Sequence, residues 1–321
     1  MLDYILNRVL QSILVLIGVT IICFFIFQYL GDAAMTLTSE DATQEQLIEA
    51  RRTLGLDLPL YQQYGRFVWR VLHADFGMSF LTKTPALEMV LKRMPATLEL
   101  AVAAMIMATL VGGLIGVYAA VMPRSVVSRL AMITTLVGIS IPTFLTGILL
   151  IYLFAIELGW FPPFSRGDVV QIGWWSTGFL TLSGLNHLFL PAFTLAIFQV
   201  AMSTRVIRGE MMEVLVEDYI RTARAKGLSR FQVTFKHAIR NALIPFITIV
   251  GLQLGNLIAF AIVVETVFQW PGMGSLLIKA IGQNDQPVVI TYIMIVAVMF
   301  VFINLTVDIL YSVINPRIAY D

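Results

Sequence analysis

Residues 9–30 read VLQSILVLIGVTIICFFIFQYL, a stretch in which no side chain carries a charge. Because an α-helix rises about 1.5 Å per residue, a run of this length crosses the roughly 30 Å hydrocarbon core of a bilayer. The run is longer than the apolar core of a cleaved signal peptide, so we expect a retained first membrane span. The segment Gly31-Asp32-Ala33-Ala34 resembles a cleavage site and leaves the processed alternative open.

The composition of the whole chain has the same character. Of 321 residues, 58% are hydrophobic and 13% are charged, and the mean hydropathy is +0.85. One soluble core cannot bury that much apolar surface, so the predicted fold class is all-α, a polytopic membrane protein. A net charge of +1 gives no basic field for nucleic acid, and the single cysteine, Cys23, excludes an internal disulfide or a cysteine-ligated metal cluster.

Six apolar runs are long enough to be considered as spans. They are 9–30, 96–121, 130–154, 188–203, 242–264 and 288–311. The fourth is short and is expected to begin earlier or to cross with little tilt. Within the third, Ser140 and Pro142 are expected to break and kink the helix, while Gly112 and Gly116 should let the second span pack closely.

Basic residues in short loops predict the orientation. The loop between the second and third spans carries Arg124 and Arg129, and the loop between the fourth and fifth carries eight basic residues. Both are therefore placed in the cytoplasm, and parity puts both termini there. Four tryptophans fall near the outer ends of spans, where we expect them in the headgroup region: Trp160, Trp174, Trp175 and Trp270.

The segment 31–95 is expected to form a small external substructure. Residues 43–54 have helix-forming composition, and Gly55 is a natural stop for this helix. Gly77 and Pro85 are expected to interrupt the remainder of the segment.

The cytoplasmic loop at 217–232 reads EDYIRTARAKGLSRFQ, which is typical of two short helices that meet at a glycine. Glu217 and Asp218 suit the positive end of the first helix, and Gly227 suits a left-handed C-terminal residue. Ser229 and Gln232 have the spacing of a capping box that opens a second helix, predicted to run through His237 and Arg240 towards Pro245.

This loop resembles the EAA loop of ABC-importer permeases, in the variant of the dipeptide, oligopeptide and nickel permease family. Arg221 and Thr222 stand where glutamate and alanine would be in the general pattern, and the closing proline comes late; both departures are normal for the peptide branch. Further motifs are similar to that family in the same order: LGLD at 54–57, DFG at 75–77, RMPATLEL at 93–100, SIPTF at 140–144, LGWFP at 158–162, ETVF at 265–268, PGMG at 271–274 and NPR at 315–317.

The resemblance implies a type I ABC-importer permease fold with two parts, a first helix plus external loop at 1–95 and a five-helix core at 96–321 that contains the coupling loop 205–241. The partners implied are a second homologous permease, two ABC ATPase subunits and an external solute-binding protein, with membrane lipid around the spans. The residues implied to couple to the ATPase are Tyr219, Arg221, Thr222, Ala223, Arg224, Ala225, Lys226, Gly227 and Leu228.

An external gate is the second implied site, with Glu265, Pro271, Gly272 and Gly274 as its candidate residues. The implied cargo is a di- or oligopeptide, with a nickel chelate, glutathione or haem as alternatives. No GxxxxGK[ST] phosphate loop occurs in the chain, so we expect no cofactor here, with ATP and magnesium on the partner ATPases and no catalytic residue in this subunit.

Two other classes of protein are disfavoured. An ion-coupled secondary transporter usually needs ionisable residues near the span centres, where we identify only the neutral polar residues Gln253, Asn256 and Asn304. An intramembrane protease could use Ser140, but the three histidines lie outside spans or at their edges, and no HExxH motif occurs.

Overall fold

The computed structural model describes residues 2–29, 43–54 and 57–314, and α-helix dominates these ranges. In chain order the helices are α1 (Leu2–Tyr29), α2 (Gln44–Leu54), α3 (Leu60–Leu72), α4 (Ala86–Val121), α5 (Val126–Ser140), α6 (Thr143–Glu157), α7 (Leu182–Val214), α8 (Asp218–Ala225), α9 (Arg230–Val267), α10 (Met273–Gly282) and α11 (Gln286–Ile314). The candidate stop at Gly55, the cleavage-like segment 31–34 and the NPR motif at 315–317 lie outside the described residues.

Five of the described helices are long and apolar enough to cross a membrane, namely α1, α4, α7, α9 and α11. The helices α5 and α6 pass the same test only as a pair, which gives up to six spans. The two meet at an angle of 109°. The helix ends at Ser140 and restarts after Pro142 because proline has no N–H to donate and disfavours the helical conformation of the residue before it. The predicted break in the third span is confirmed.

Two spans are longer than the apolar runs indicated. The helix α4 begins at Ala86, before the predicted start at residue 96, and continues through Pro95. Its first turns are polar and carry a Lys92–Glu88 ion pair of 2.6 Å, so hydropathy alone could not include them. The helix α7 likewise extends beyond 188–203 at both ends, which confirms the expected earlier start.

The core of the protein forms where α4 packs against α7. An added Cβ at Gly112 would lie 2.7 Å from the carbonyl oxygen of Val200, and one at Gly116 would lie 2.6 Å from that of Thr204. Only glycine permits so close an approach of the two backbones, as expected from the sequence.

A short antiparallel hairpin, which the sequence did not predict, lies between α6 and α7. Its strands are β1 (Val170–Ile172) and β2 (Trp175–Thr177), with Gln171 paired to Ser176. Trp160 and Trp174 near this hairpin are exposed, as an interfacial position requires. Trp270 is 1% exposed and its Nε1 donates to the Ala96 carbonyl at 2.9 Å, so the expectation of a headgroup position was wrong for this residue.

Candidate functional site

The first half of the cytoplasmic loop is the helix α8, closed at its C-terminal end by a Schellman motif. The N–H of Gly227 donates to the Arg224 carbonyl at 3.0 Å, and the N–H of Leu228 donates to the Ala223 carbonyl at 3.4 Å. Gly227 has φ of +80°, in the left-handed region that costs a residue with a Cβ free energy. The predicted glycine-closed helix is confirmed.

The second half of the loop opens with the predicted capping box. The Gln232 N–H donates to Ser229 Oγ, and the Ser229 N–H donates back to Gln232 Oε1 at 3.0 Å. The helix after this box does not end near Pro245. An α-helical turn (Arg230–Gln232), a π-helical segment (Val233–Ala238) and a long α-helix (Ile239–Val267) succeed one another to form α9. The second half of the cytoplasmic loop and the fifth span therefore share one helix. Pro245 does not end it, because proline is tolerated inside a membrane-spanning helix.

We define the coupling elbow as residues 217–235, comprising α8, its glycine turn and the start of α9. Ile220 is fully buried and Ala223 is 7% exposed, and both belong to a buried apolar cluster that includes Ile207, Met211 and Phe246. Ala223, one of the residues expected to couple to the ATPase, thus faces the interior of its own chain and positions the helix. The coupling candidates with exposed side chains or backbone are Tyr219, Arg221, Thr222, Arg224, Ala225, Lys226 and Gly227, and Leu228 is half-buried.

Further side-chain hydrogen bonds join parts of the elbow to one another and to α9. Asn241 Nδ2 donates to the Tyr219 hydroxyl at 2.6 Å, and Thr222 Oγ1 donates to the Asp218 carbonyl at 2.9 Å. Two exposed aromatic residues here were not predicted from the sequence, Phe231 and Phe235, whose rings stack at 4.5 Å with 69% and 51% of each residue exposed. Their spacing of four residues on a cytoplasmic helix was the available signal. The elbow therefore offers basic and aromatic side chains on a rigid base.

Three of the four candidate gate residues, Glu265, Gly272 and Gly274, belong to a buried cluster at the outer end of α9. Pro271, the fourth, is exposed beside this cluster. Glu265 is fully buried; its carboxylate accepts from Thr97 Oγ1 at 2.5 Å and from the Ser275 N–H at 2.9 Å, so it caps α10. Pro271 leads into Gly272, the N-cap residue of α10. An added Cβ at Gly274 would lie 2.7 Å from Ile262 Cα. In this conformation the Glu265 carboxylate is enclosed by protein, and the gate assignment stays a prediction.

An ion pair fixes the outer hairpin next to this cluster. Arg166 Nη2 lies 2.6 Å from Glu99 Oε2, and the same nitrogen donates to the Ser176 carbonyl at 2.6 Å. The Gly178 N–H also donates to Glu99 Oε2, at 3.2 Å. Glu99 and Thr97 both lie on α4, so one turn of that helix holds the hairpin and the α9–α10 connection.

A cavity of about 430 Å³ lies beside the break in the third span. The break between α5 and α6 forms one wall, and the middles of α7 and α9 form the others. Its polar lining consists of neutral side chains, namely Thr143, Thr146, Thr194, Gln199, Gln253 and Asn256.

Gln199 is a polar residue of this cavity that was not predicted from the sequence. It lies within the apolar run 188–203, whose hydropathy it barely changes because it is the lone amide in that run. It is 2% exposed, and within the described ranges no residue forms a hydrogen bond with its side chain. Those ranges also contain no group of histidine, cysteine, aspartate or glutamate side chains able to hold a metal ion.

Comparison with known proteins decides the family. Residues 112–320 match the family described as binding-protein-dependent transport system inner membrane component, and residues 1–101 match the N-terminal region of such membrane components. The chain belongs to this family. It is accordingly a permease subunit of an ABC importer and a multi-pass protein of the bacterial cytoplasmic membrane.

Full-length relatives of this permease are named for the transport of peptides or of glutathione. It is 40% identical to the dipeptide transport system permease protein DppB of Escherichia coli K12, over 100% of this chain and 99% of that protein. The oligopeptide transport system permease protein AppB of Bacillus subtilis is 40% identical over 99% of each chain. The glutathione transport system permease protein GsiC of Salmonella paratyphi A is 39% identical over 100% of each.

Proposed function

We propose that this permease, together with a second homologous permease subunit, forms the pathway for di- or oligopeptides across the cytoplasmic membrane. The support is its full-length similarity to permeases named for dipeptides and oligopeptides. The neutral cavity beside the third span agrees with a passage that must accept many different side chains.

Energy for transport enters through the coupling elbow. The observation that carries this step is the continuity of α8, its Schellman turn and α9, which joins an exposed cytoplasmic surface to a membrane span. Two ATPase subunits, which hold ATP and magnesium, dock on this surface and on its counterpart in the second permease. This chain itself performs no hydrolysis.

An external solute-binding protein delivers the cargo on the opposite side. The core at 96–321 forms the transport pathway. The first helix and external loop at 1–95 form a separate part of the chain. The cluster of Glu265, Pro271, Gly272 and Gly274 acts as the external gate. The Glu265 carboxylate accepts from the Ser275 N–H, so the outer end of α9 and the start of α10 move together.

The test is co-purification from the native membrane followed by peptide uptake. Gly227→Val should weaken recovery of the ATPases and lower uptake, because φ of +80° is costly for a β-branched residue. Gly227→Asn should retain more activity, since asparagine adopts this region more readily. Gly65→Val is the matched control, because Gly65 lies exposed on α3, outside the coupling loop, and no described residue comes within 4 Å of an added Cβ.

Recovery of two ATPases and a second permease, with ATP-dependent uptake of dialanine or tetra-alanine by the reconstituted complex, would support the proposal. A chain that purifies without any nucleotide-binding partner would contradict it, as would normal uptake by Gly227→Val.

Glutathione import is a second candidate, favoured by the 39% identical relative named for glutathione transport. Uptake of glutathione and of tetra-alanine by the same complex, at equal concentration and with its own binding protein, separates the two.

A further inference from the structure

Three amide side chains converge on the cavity beside the third span. Gln253 lies at the midpoint of the segment Ile239–Val267, and Asn256 follows it by one turn. Gln199 lies near the middle of α7 on the opposite wall. Asn256 Nδ2 donates to Gln253 Oε1 at 3.2 Å, and within the described part of the chain no other hydrogen bond to these two side chains occurs.

We propose that this cavity binds the main-chain amide groups of the transported peptide, with Gln199, Gln253 and Asn256 as its hydrogen-bonding residues. The proposal rests on the peptide-permease function above.

A lipid chain is a poor occupant for this site. An amide buried in hydrocarbon without a partner is costly, and Gln199 is 2% exposed with its amide unpaired among the described residues. A polar ligand that enters the cavity would supply the missing bonds. The cavity volume of about 430 Å³ is within the range of sites for small ligands.

The chemistry of the lining selects for the peptide main chain. Each carboxamide offers a donor and an acceptor, and each peptide unit offers the same pair of groups. Among the described residues no charged side chain lines the cavity, so this lining neither favours nor rejects a cargo by its charged side chains. A site of this kind recognises the main chain that all peptides share.

The helix break adds donors to the same cavity. Pro142 and Thr143 line it, and they form the N-terminal end of α6. The first backbone N–H groups of a helix have no partner within that helix and point along its axis. Carbonyl oxygens of a peptide suit these donors, while its N–H groups suit the amide oxygens of Gln199 and Asn256.

The primary test is cysteine protection in the reconstituted importer. The only native cysteine, Cys23, is buried, so Cys23→Ala provides a background for single cysteines. Thr146→Cys places a thiol in the cavity wall, and Thr134→Cys places one on the exposed side of α5 as the control. With binding protein outside and ATP inside, trialanine should slow maleimide labelling of Thr146→Cys several-fold and leave Thr134→Cys unchanged.

The second test removes the hydrogen bonds. Gln199→Leu and Gln253→Leu should each lower the trialanine uptake rate about tenfold, the effect of losing one buried hydrogen bond. Gln11→Leu, on the exposed face of α1, should transport normally. Recovery of the complete complex by pull-down separates a loss of ligand contact from a failure to assemble.

The outcomes distinguish the inference from the function on which it rests. ATP-dependent trialanine uptake without protection of Thr146→Cys, and with normal rates in both leucine variants, would overturn the inference and leave the permease function standing. Absence of ATP-dependent peptide uptake by the unmodified complex would overturn both.

Discussion

Glu99 and Arg166 form an ion pair in which each charged group keeps one atom without a hydrogen bond. Glu99 Oε2 and Arg166 Nη2 are 2.6 Å apart, and the side chains are 2% and 8% exposed. Within the described residues, Glu99 Oε1 and Arg166 Nε have no partner. The charge of each group is therefore compensated through the contact between Glu99 Oε2 and Arg166 Nη2, while bonds to Ser176 and Gly178 join the pair to the outer hairpin.

Glu99→Gln should therefore destabilise the protein strongly. The change leaves the Arg166 guanidinium buried and uncompensated, which costs about 3–5 kcal/mol. The double variant Glu99→Leu/Arg166→Met should lose less stability than Glu99→Gln alone, because it leaves no buried charge. Thermal unfolding in detergent, followed by size-exclusion chromatography, measures both.

The exposed Arg70–Asp75 pair is the control for this experiment. Its two side chains are 51% and 58% exposed, so Asp75→Asn should cost no more than about 1 kcal/mol. The hydrogen bond from Arg70 lowers the pKa of Asp75, so its small stabilisation is present near neutral pH and is lost as the pH falls through that lowered pKa. Equal losses in Glu99→Gln and Asp75→Asn would contradict the assigned role of the buried pair.

Two adjacent glycines on α4 should respond oppositely to alanine. Gly112→Ala forces a Cβ to 2.7 Å from the Val200 carbonyl and should cost about 1–3 kcal/mol by separating α4 from α7. At Gly113 the nearest atom is 4.0 Å away, so Gly113→Ala should be neutral or stabilise by up to about 1 kcal/mol through helix propensity. The same thermal assay compares them, and a loss at both positions would indicate that tight packing is not the cause.

The gate cluster should be sensitive at Gly274. An added Cβ there lies 2.7 Å from Ile262 Cα and 3.0 Å from Glu265 Oε2, so Gly274→Ala must displace the start of α10. We expect uptake to fall while the chain still inserts into the membrane. Gly282→Ala, at the other end of α10 with nothing within 4 Å, should leave uptake unchanged. Normal uptake by Gly274→Ala would show that this cluster is not the external gate.

The stacked rings at the coupling elbow should matter for ATPase recovery. The double variant Phe231→Ser/Phe235→Ser removes an exposed aromatic surface without touching the buried base of α8. Aromatic side chains contribute strongly to interfaces, so we expect weaker co-purification of the ATPases. Val126→Ser changes an equally exposed apolar residue at the cytoplasmic start of α5 and should have no effect. Full recovery in the double variant would assign the two rings to the lipid surface.

Much of this architecture could be predicted because it depends on local signals. Apolar runs located the candidate spans, the Ser140–Pro142 break followed from the chemistry of proline, and the turn at Gly227 followed from a single residue type. The capping box at Ser229 and Gln232 was equally local.

Features that depend on distant partners could not be predicted. The sequence predicts Glu265 as a residue of an external gate but does not predict that its carboxylate is buried, because its partners Thr97 and Ser275 come from two other elements. The sequence also predicts a headgroup position for Trp270, because the hydrogen bond from Trp270 to the Ala96 carbonyl cannot be inferred from sequence. Gln199 could not be predicted as a cavity residue, because one amide scarcely alters the hydropathy of its run. Its role becomes apparent only when Gln253 and Asn256 are seen to line the same cavity.

The length of α9 has a geometric consequence. Its 38 residues correspond to roughly 55 Å, so a rotation of about 5° around the cytoplasmic end displaces the far end by about 5 Å. The far end holds Glu265, which is bonded to α4 through Thr97. If α9 turns as one body through its π-helical segment and Pro245, a small angular change at its cytoplasmic end would reach the opposite side of the membrane as a shift longer than a hydrogen bond.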